Sequence, residues 1–143
     1  RNQRMYDNIA MTCADEERLC LLGFTDQVSL LMDASDVIFT KPGGITSTEA
    51  MVKNIPIIHT APIPGLENYN ARFFHNHGLS YHTNDISQQV AIAMRLCEDK
   101  AFKKRMLQQQ RTHGNPRTSD DVIDWILNHQ DIAYEGHKTT HIA

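Results

Sequence analysis

Val37-Ile38-Phe39-Thr40-Lys41-Pro42-Gly43-Gly44-Ile45-Thr46-Ser47-Thr48-Glu49-Ala50 is the stretch on which the fold turns. Val37 to Thr40 is a short apolar run rich in β-branched and aromatic side chains and reads as a buried strand. Thr46 to about Lys53 reads as a helix, and two adjacent glycines stand where the chain turns between the two. A strand that passes through a glycine turn into a helix is the first half of a crossover unit, so the question is whether the pattern recurs on either side.

It does. Toward the carboxyl end, Pro56 to Thr60 reads as a strand and about Glu67 to His77 as a helix. Gly78 stops that helix, because glycine accepts the left-handed conformation just past a helix end. Leu79 to His82 reads as the last strand. Toward the amino end, Leu19 to Leu22 is a short apolar run ending at Gly23, followed by a helix from about Asp26 to Ala34 that carries Val28, Leu31 and Met32. Before it lies a helical stripe of Met5, Ile9, Ala10 and Cys13. Four strands alternating with helices predict an α/β fold: a doubly wound, Rossmann-like parallel sheet. From Ile86 onward the chain reads as helical, with stripes at Ile86, Val90, Ala93, Met94 and Cys97, at Phe102, Met106 and Leu107, and at Val122, Ile123, Ile126 and Leu127. Residues 1–129 are expected to form one domain and 130–143 a flexible tail with little to bury.

Composition agrees with a single globular domain: 143 residues, 41% hydrophobic and 22% charged. A formal net charge of −3 argues against nucleic acid as a partner, since that affinity rests on clustered Lys and Arg. Lys103, Lys104, Arg105 and Arg111 read as a solvated helix face. Cys13, Cys20 and Cys97 are odd in number and contain no C-x-x-C pair, which fits a reducing compartment. No apolar run approaches the roughly 20 residues of a membrane span, so membrane contact is expected to be peripheral. The chain opens Arg1-Asn2-Gln3 inside a helical pattern and without Met, which reads as a cut within an element.

In a parallel sheet, ligands bind outside the carboxyl ends of the strands, which directs attention to the loops after Leu22, Thr40, Thr60 and His82. The Gly43-Gly44-Ile45-Thr46 turn is a place for a phosphate, because glycines let the backbone approach an anion and the first helical N–H groups attract it; the Thr46 and Ser47 hydroxyls add donors. The alternative is that the glycines serve turn geometry alone. Glu49 has two readings as well. Thr46-x-x-Glu49 is a capping box, and a carboxylate one turn into such a helix is also placed to accept hydrogen bonds from ribose hydroxyls. In the second loop, Gly65 leads into a helix whose Glu67 and Asn70 share a face suited to sugar hydroxyls, against the reading of Glu67 as a favourable first-turn acid. His75 and His77, at i and i+2, point to different sides of a helix and are not expected to share a metal; His77 is expected at the helix carboxyl end. No G-x-S-x-G elbow supports a hydrolase.

Gly23-Phe24-Thr25-Asp26, the Thr40 to Ala50 segment and Pro62-Ile63-Pro64-Gly65-Leu66-Glu67-Asn68-Tyr69-Asn70-Ala71 together resemble the carboxyl-terminal domain of the MurG and monogalactosyldiacylglycerol-synthase superfamily, over about residues 1–115. The Lys-Pro-Gly-Gly and Pro-Ile-Pro-Gly forms look most like the bacterial diacylglycerol glycosyltransferases. The resemblance implies the GT-B fold, in which two Rossmann-like domains face a cleft, with this chain as the donor-binding one, truncated at its amino-terminal edge. It implies that Phe24 packs on uracil, that Gly43, Gly44, Ile45 and Thr46 meet the diphosphate, and that Glu49 holds the ribose. Gly65, Leu66, Glu67 and Asn70 would face the sugar. Many relatives carry Gln where Leu66 stands, a departure beside the sugar hydroxyls. The implied activity is inverting transfer of a hexosyl group from a UDP-sugar to a diacylglycerol-type lipid, without cofactor or metal, at the cytoplasmic face of the membrane. The acceptor domain and the catalytic base would lie before Arg1, so no catalytic residue is assigned in this chain and the chain alone is expected to be inactive. Competing readings are a MurG-like N-acetylglucosamine transferase, another UDP-sugar enzyme of the same fold, and a non-catalytic nucleotide-binding module.

Overall fold

A computed structural model describes residues 2–129; the expected tail at 130–143 lies outside the described residues. The chain divides into two compact units, Arg1–Ala34 and Ser35–Ala143.

The first unit holds α1 (Gln3–Thr12) and α2 (Val28–Asp33). Asn2 caps α1, its side chain accepting from the Met5 N–H at 3.0 Å. The stripe expected on α1 is helical, yet no α1 side chain is buried. Leu19 to Leu22 is not a strand. An apolar run holds an extended ladder only when a neighbour takes its backbone hydrogen bonds. These four residues have no such partner among the described residues, and Leu19 and Leu22 are 44% and 48% exposed.

The second unit carries the sheet. β1 (Ile38–Thr40), β2 (Ile57–His59) and β3 (Tyr81–His82) lie in the order β1-β2-β3, all parallel, so the described sheet has three strands rather than four. Thr40 pairs with His59, and His59 with His82, which aligns the carboxyl ends of all three strands. The crossovers are α3 (Gly44–Val52) and α4 (Leu66–Asn76), followed by α5 (Ile86–Glu98), α6 (Lys100–His113) and α7 (Thr118–Asn128). β2 is buried throughout, as a central strand covered on both faces must be. Ile58 forms a core with Leu96, Phe102 and Met106, against which Val37, Tyr81, Ile92 and Ala93 pack. Ala50 and Ala71, both buried, face inward from α3 and α4, where a single methyl group lets a helix approach the sheet closely.

Helix ends follow local chemistry. Asp85 and Asp99 cap α5 and α6, accepting from the N–H groups of Gln88 and Phe102 at 3.0 and 2.9 Å. Gly78, at φ +67°, ends α4 as expected, and the Leu79 N–H returns to the Phe74 carbonyl at 2.8 Å. Asn54 plays the same part after α3 at φ +59°. Among the described residues no helix is long and apolar enough to cross a membrane.

The amino end of the sheet is closed by α6. Gln110, fully buried, donates from Nε2 to the carbonyls of Ile55 and Leu79, both at 2.9 Å, just ahead of β2 and β3. Its Oε1 accepts from Asn54 Nδ2 at 3.2 Å, and the same Asn54 amide reaches the Leu107 carbonyl at 2.8 Å. Replacing Gln110 by Leu keeps the volume but strands these carbonyls without donors. The expected cost is about 2–4 kcal/mol, read as a lower urea midpoint with an unchanged slope; a loss within about 0.5 kcal/mol would remove Gln110 from its place as the latch.

Candidate functional site

The carboxyl ends of the three strands open into three loops that differ in how their polar groups are satisfied. The loop after β3 is closed on itself: Asp85 caps α5, Thr83 Oγ1 donates to Gln88 Oε1 at 3.0 Å, and Gln89 Nε2 donates to the Thr83 carbonyl at 2.6 Å. The loops after β1 and β2 end instead at Gly43 and Gly65, which cap α3 and α4 without any side-chain hydrogen bond. The first N–H groups of these two helices point out of the carboxyl edge unpaired by a capping side chain, each at the positive end of a helix dipole.

In the first loop, Pro42 is buried and the Gly43 N–H turns back to the Lys41 carbonyl at 2.7 Å. Gly43 is extended at φ −73°, a conformation open to any residue. A Cβ built on Gly43 would meet nothing within 4 Å, and one on Gly44 only Asn70 Nδ2 at 3.9 Å. Neither packing nor backbone strain at the cap demands glycine, so the turn-geometry reading loses its force and open space remains over the turn. Helix α3 starts at Gly44, before Thr46, which corrects the expected capping box: Thr46 is already inside the helix and cannot cap it. The carboxylate of Glu49, exposed one turn further on, has no hydrogen bond or ion pair among the described residues.

The second loop is organised by Gly65, whose φ of +116° with ψ −128° belongs to glycine alone. Glu67 closes the turn: its Oε2 accepts from the Ile63 N–H at 2.6 Å. Leu66 is exposed at the start of α4. Asn70 reaches across to the first loop, donating from Nδ2 to the Pro42 carbonyl at 2.9 Å. The structure thus gathers Gly43, Gly44, Ile45, Thr46 and Glu49 on α3, and ties Gly65, Leu66, Glu67 and Asn70 to them through the Asn70–Pro42 bond. Phe24 lies in the first unit and is 79% exposed.

Ser47, read from sequence as a donor to phosphate, is fully buried and its hydroxyl is engaged elsewhere. Ser47 Oγ lies 2.9 Å from His59 Nε2, and Ser80 Oγ lies 3.0 Å from His59 Nδ1. His59 ends the central strand with no accessible surface, its ring in a T-shaped contact with Phe74 at a centroid distance of 5.3 Å. Sequence reading placed His59 in a strand without giving it a role; a polar residue in a strand flanked by two others was the available signal. At the far end of α4, His77 Nδ1 lies 2.8 Å from the Phe73 carbonyl, at the helix end as expected.

A parallel α/β unit with two helix starts over its carboxyl edge that no side chain caps presents backbone N–H donors there, the kind of group that suits an anion. Its lineage is narrower. Residues 2–113 match the family described as "Glycosyl transferases group 1", and the chain belongs to that family. It is 30% identical over 116 residues to a processive diacylglycerol beta-glucosyltransferase of Bacillus pumilus (strain SAFR-032), covering 81% of this chain and 30% of the relative. It is 28% identical over 126 residues to the protein of the same name from Bacillus thuringiensis (strain Al Hakam), covering 88% of this chain and 32% of that one. The chain therefore spans about a third of these relatives. In fold it is similar to a solved glycosyltransferase, "the Glycotransferase of kitacinnamycin", with a TM-score of 0.54 at 20% identity over 78% of this chain and 32% of that one.

Burial pushes the His59 imidazole down to about 4, with His82 nearby adding repulsion. The unfolded chain takes up a proton near pH 6.5 that the folded chain refuses until about pH 4. The neutral ring therefore contributes its full stability above about pH 6.5, and this is lost as pH falls toward 4, up to roughly 3 kcal/mol. Urea unfolding at pH 7.5 and 4.5 should show this loss, with a smaller difference in His59→Gln; equal pH dependence in both proteins would place the proton elsewhere.

Proposed function

We propose that this chain holds the donor of a glycosyltransferase that moves a hexosyl group, with inversion, from a UDP-sugar to a diacylglycerol-type lipid. The observation that carries the reading is the pairing of an uncapped α3 amino terminus with a Glu49 carboxylate that the described protein leaves unused. The N–H groups of Gly44, Ile45 and Thr46 take the diphosphate, and Glu49 accepts from both ribose hydroxyls. Gly65 and Leu66 line the approach of the sugar. Asn70 retains a free Oδ1, and Glu67 a second oxygen, for its hydroxyls. The names of the Bacillus relatives support the lipid acceptor.

In this reading the acceptor hydroxyl attacks the anomeric carbon as its proton passes to a base outside this chain. The bond from that carbon to the β-phosphate oxygen breaks, and its electron pair leaves with UDP. Negative charge then grows on the diphosphate, where helix N–H groups stabilise it without a metal or cofactor. The acceptor site lies in a further domain, and the assembled enzyme works at the cytoplasmic surface of the membrane through peripheral contact.

Calorimetric titration of UDP into the native chain and Glu49→Gln tests the site. Because Glu49 caps nothing, the substitution should shift stability by no more than about 0.5 kcal/mol, while loss of two charge-assisted hydrogen bonds should weaken UDP about ten- to a hundredfold. Equal affinity in the two proteins would take the ribose away from Glu49, and an absence of binding to native chain would count against the donor site as a whole.

A further inference from the structure

We propose that His59 is a positioning residue for the anion-binding turn: through Ser47 it fixes the first turn of α3, and with it the N–H groups of Gly44, Ile45 and Thr46, over the carboxyl end of the sheet. The inference deepens the donor-site reading and rests on it.

Ahead of the helix the loop is held by buried Pro42 and by the Asn70 bond to its carbonyl, but the first turn of α3 has few side-chain anchors of its own. Gly44 and Ile45 are exposed and Thr46 is half-buried; Ser47 is the first α3 side chain to be fully buried. The two glycines that begin the turn bring no side chain to pack. Ala50, the next buried residue, seats the second turn through one methyl group. Within the helix, the anchor that orients the first turn against the sheet is therefore the 2.9 Å contact between Ser47 Oγ and His59 Nε2.

His59, by contrast, is held from every side. Its backbone lies in register with Thr40 on one flank and His82 on the other. The carbonyl of His59 faces His82 Nδ1 at 3.2 Å, its ring meets Phe74, and its second nitrogen meets Ser80 Oγ at 3.0 Å. A neutral imidazole is a rigid plate with one donor and one acceptor, and a serine hydroxyl can play either part, so both bonds persist in either tautomer. The ring thereby transmits the fixed position of the central strand to a turn that cannot fix itself. Its two bonds differ in reach. Ser47 lies on the anion-binding helix, whereas Ser80 precedes β3 on the far side of the ring.

That difference supplies the test. Ser47→Ala and Ser80→Ala each remove one hydroxyl from the same buried ring and should lose comparable stability. UDP and uridine affinities are measured by NMR titration for both variants and the native chain, with amide hydrogen exchange across residues 44–47. Ser47→Ala is expected to weaken UDP about five- to tenfold, the worth of one well-placed hydrogen bond, to leave uridine unchanged, and to speed exchange in the first turn of α3. Ser80→Ala should change none of the three. Retained UDP affinity in Ser47→Ala, or equal weakening of UDP and uridine, overturns the positioning role while leaving the donor site intact. Failure of native chain to bind UDP overturns the donor site and this inference together.

Discussion

Everything in the second unit answers to the burial of β2. All three of its residues are inaccessible to solvent, so both faces must be covered and every polar group along the strand must find a partner inside the protein. Two consequences follow at its two ends. At the amino end the need is met by Gln110, whose single amide serves two carbonyls while Asn54 braces it, and the end is closed. At the carboxyl end the last buried side chain is a histidine, satisfied by two serines below the surface, and the loops above it are left free to do something else.

The contrast among helix starts shows where that freedom lies. Asn2, Asp85 and Asp99 each commit a side chain to capping. Gly43 and Gly65 spend none. The loops are nonetheless well tied, because the work is done by side chains reaching backbone atoms from behind: Asn70 to the Pro42 carbonyl, and Glu67 to the Ile63 N–H. An anion over Gly43 and Gly44 would meet donors already in place, so little ordering entropy would oppose its binding.

Much of this was legible in the sequence, and the failures have physical causes. The strand, glycine turn and helix at residues 37–53 could be read because each uses local chemistry that tertiary context did not override, and Gly78 as a stop because glycine takes its φ of +67° without a Cβ penalty. Leu19 to Leu22 misled because an apolar run states that burial or pairing is wanted, not that a partner is present. Thr46 misled because a capping box is a pattern of spacing, and Gly43 took the cap position first. Ser47 reads as a phosphate donor because a hydroxyl near a glycine turn looks available; only the fold shows that it faces inward, one turn before Ala50. His59 is silent in the sequence for the converse reason: a histidine in a strand carries no mark of its partners, which lie at residues 47 and 80.

These reassignments change how the site must work. If hydroxyls supplied the donors, the diphosphate would meet rotatable groups, each ordered at a cost on binding. With Ser47 turned inward, the donors left on the first turn of α3 are mainly backbone N–H groups, which cannot rotate away and whose direction is that of the helix itself. Precision then has to come from the placing of the helix, and a helix that begins with two glycines cannot place itself. The burial of one polar residue at the end of the central strand is thus tied to the exposure of the N–H groups above it: the same histidine that must be satisfied inside provides the fixed point from which the outer surface is held.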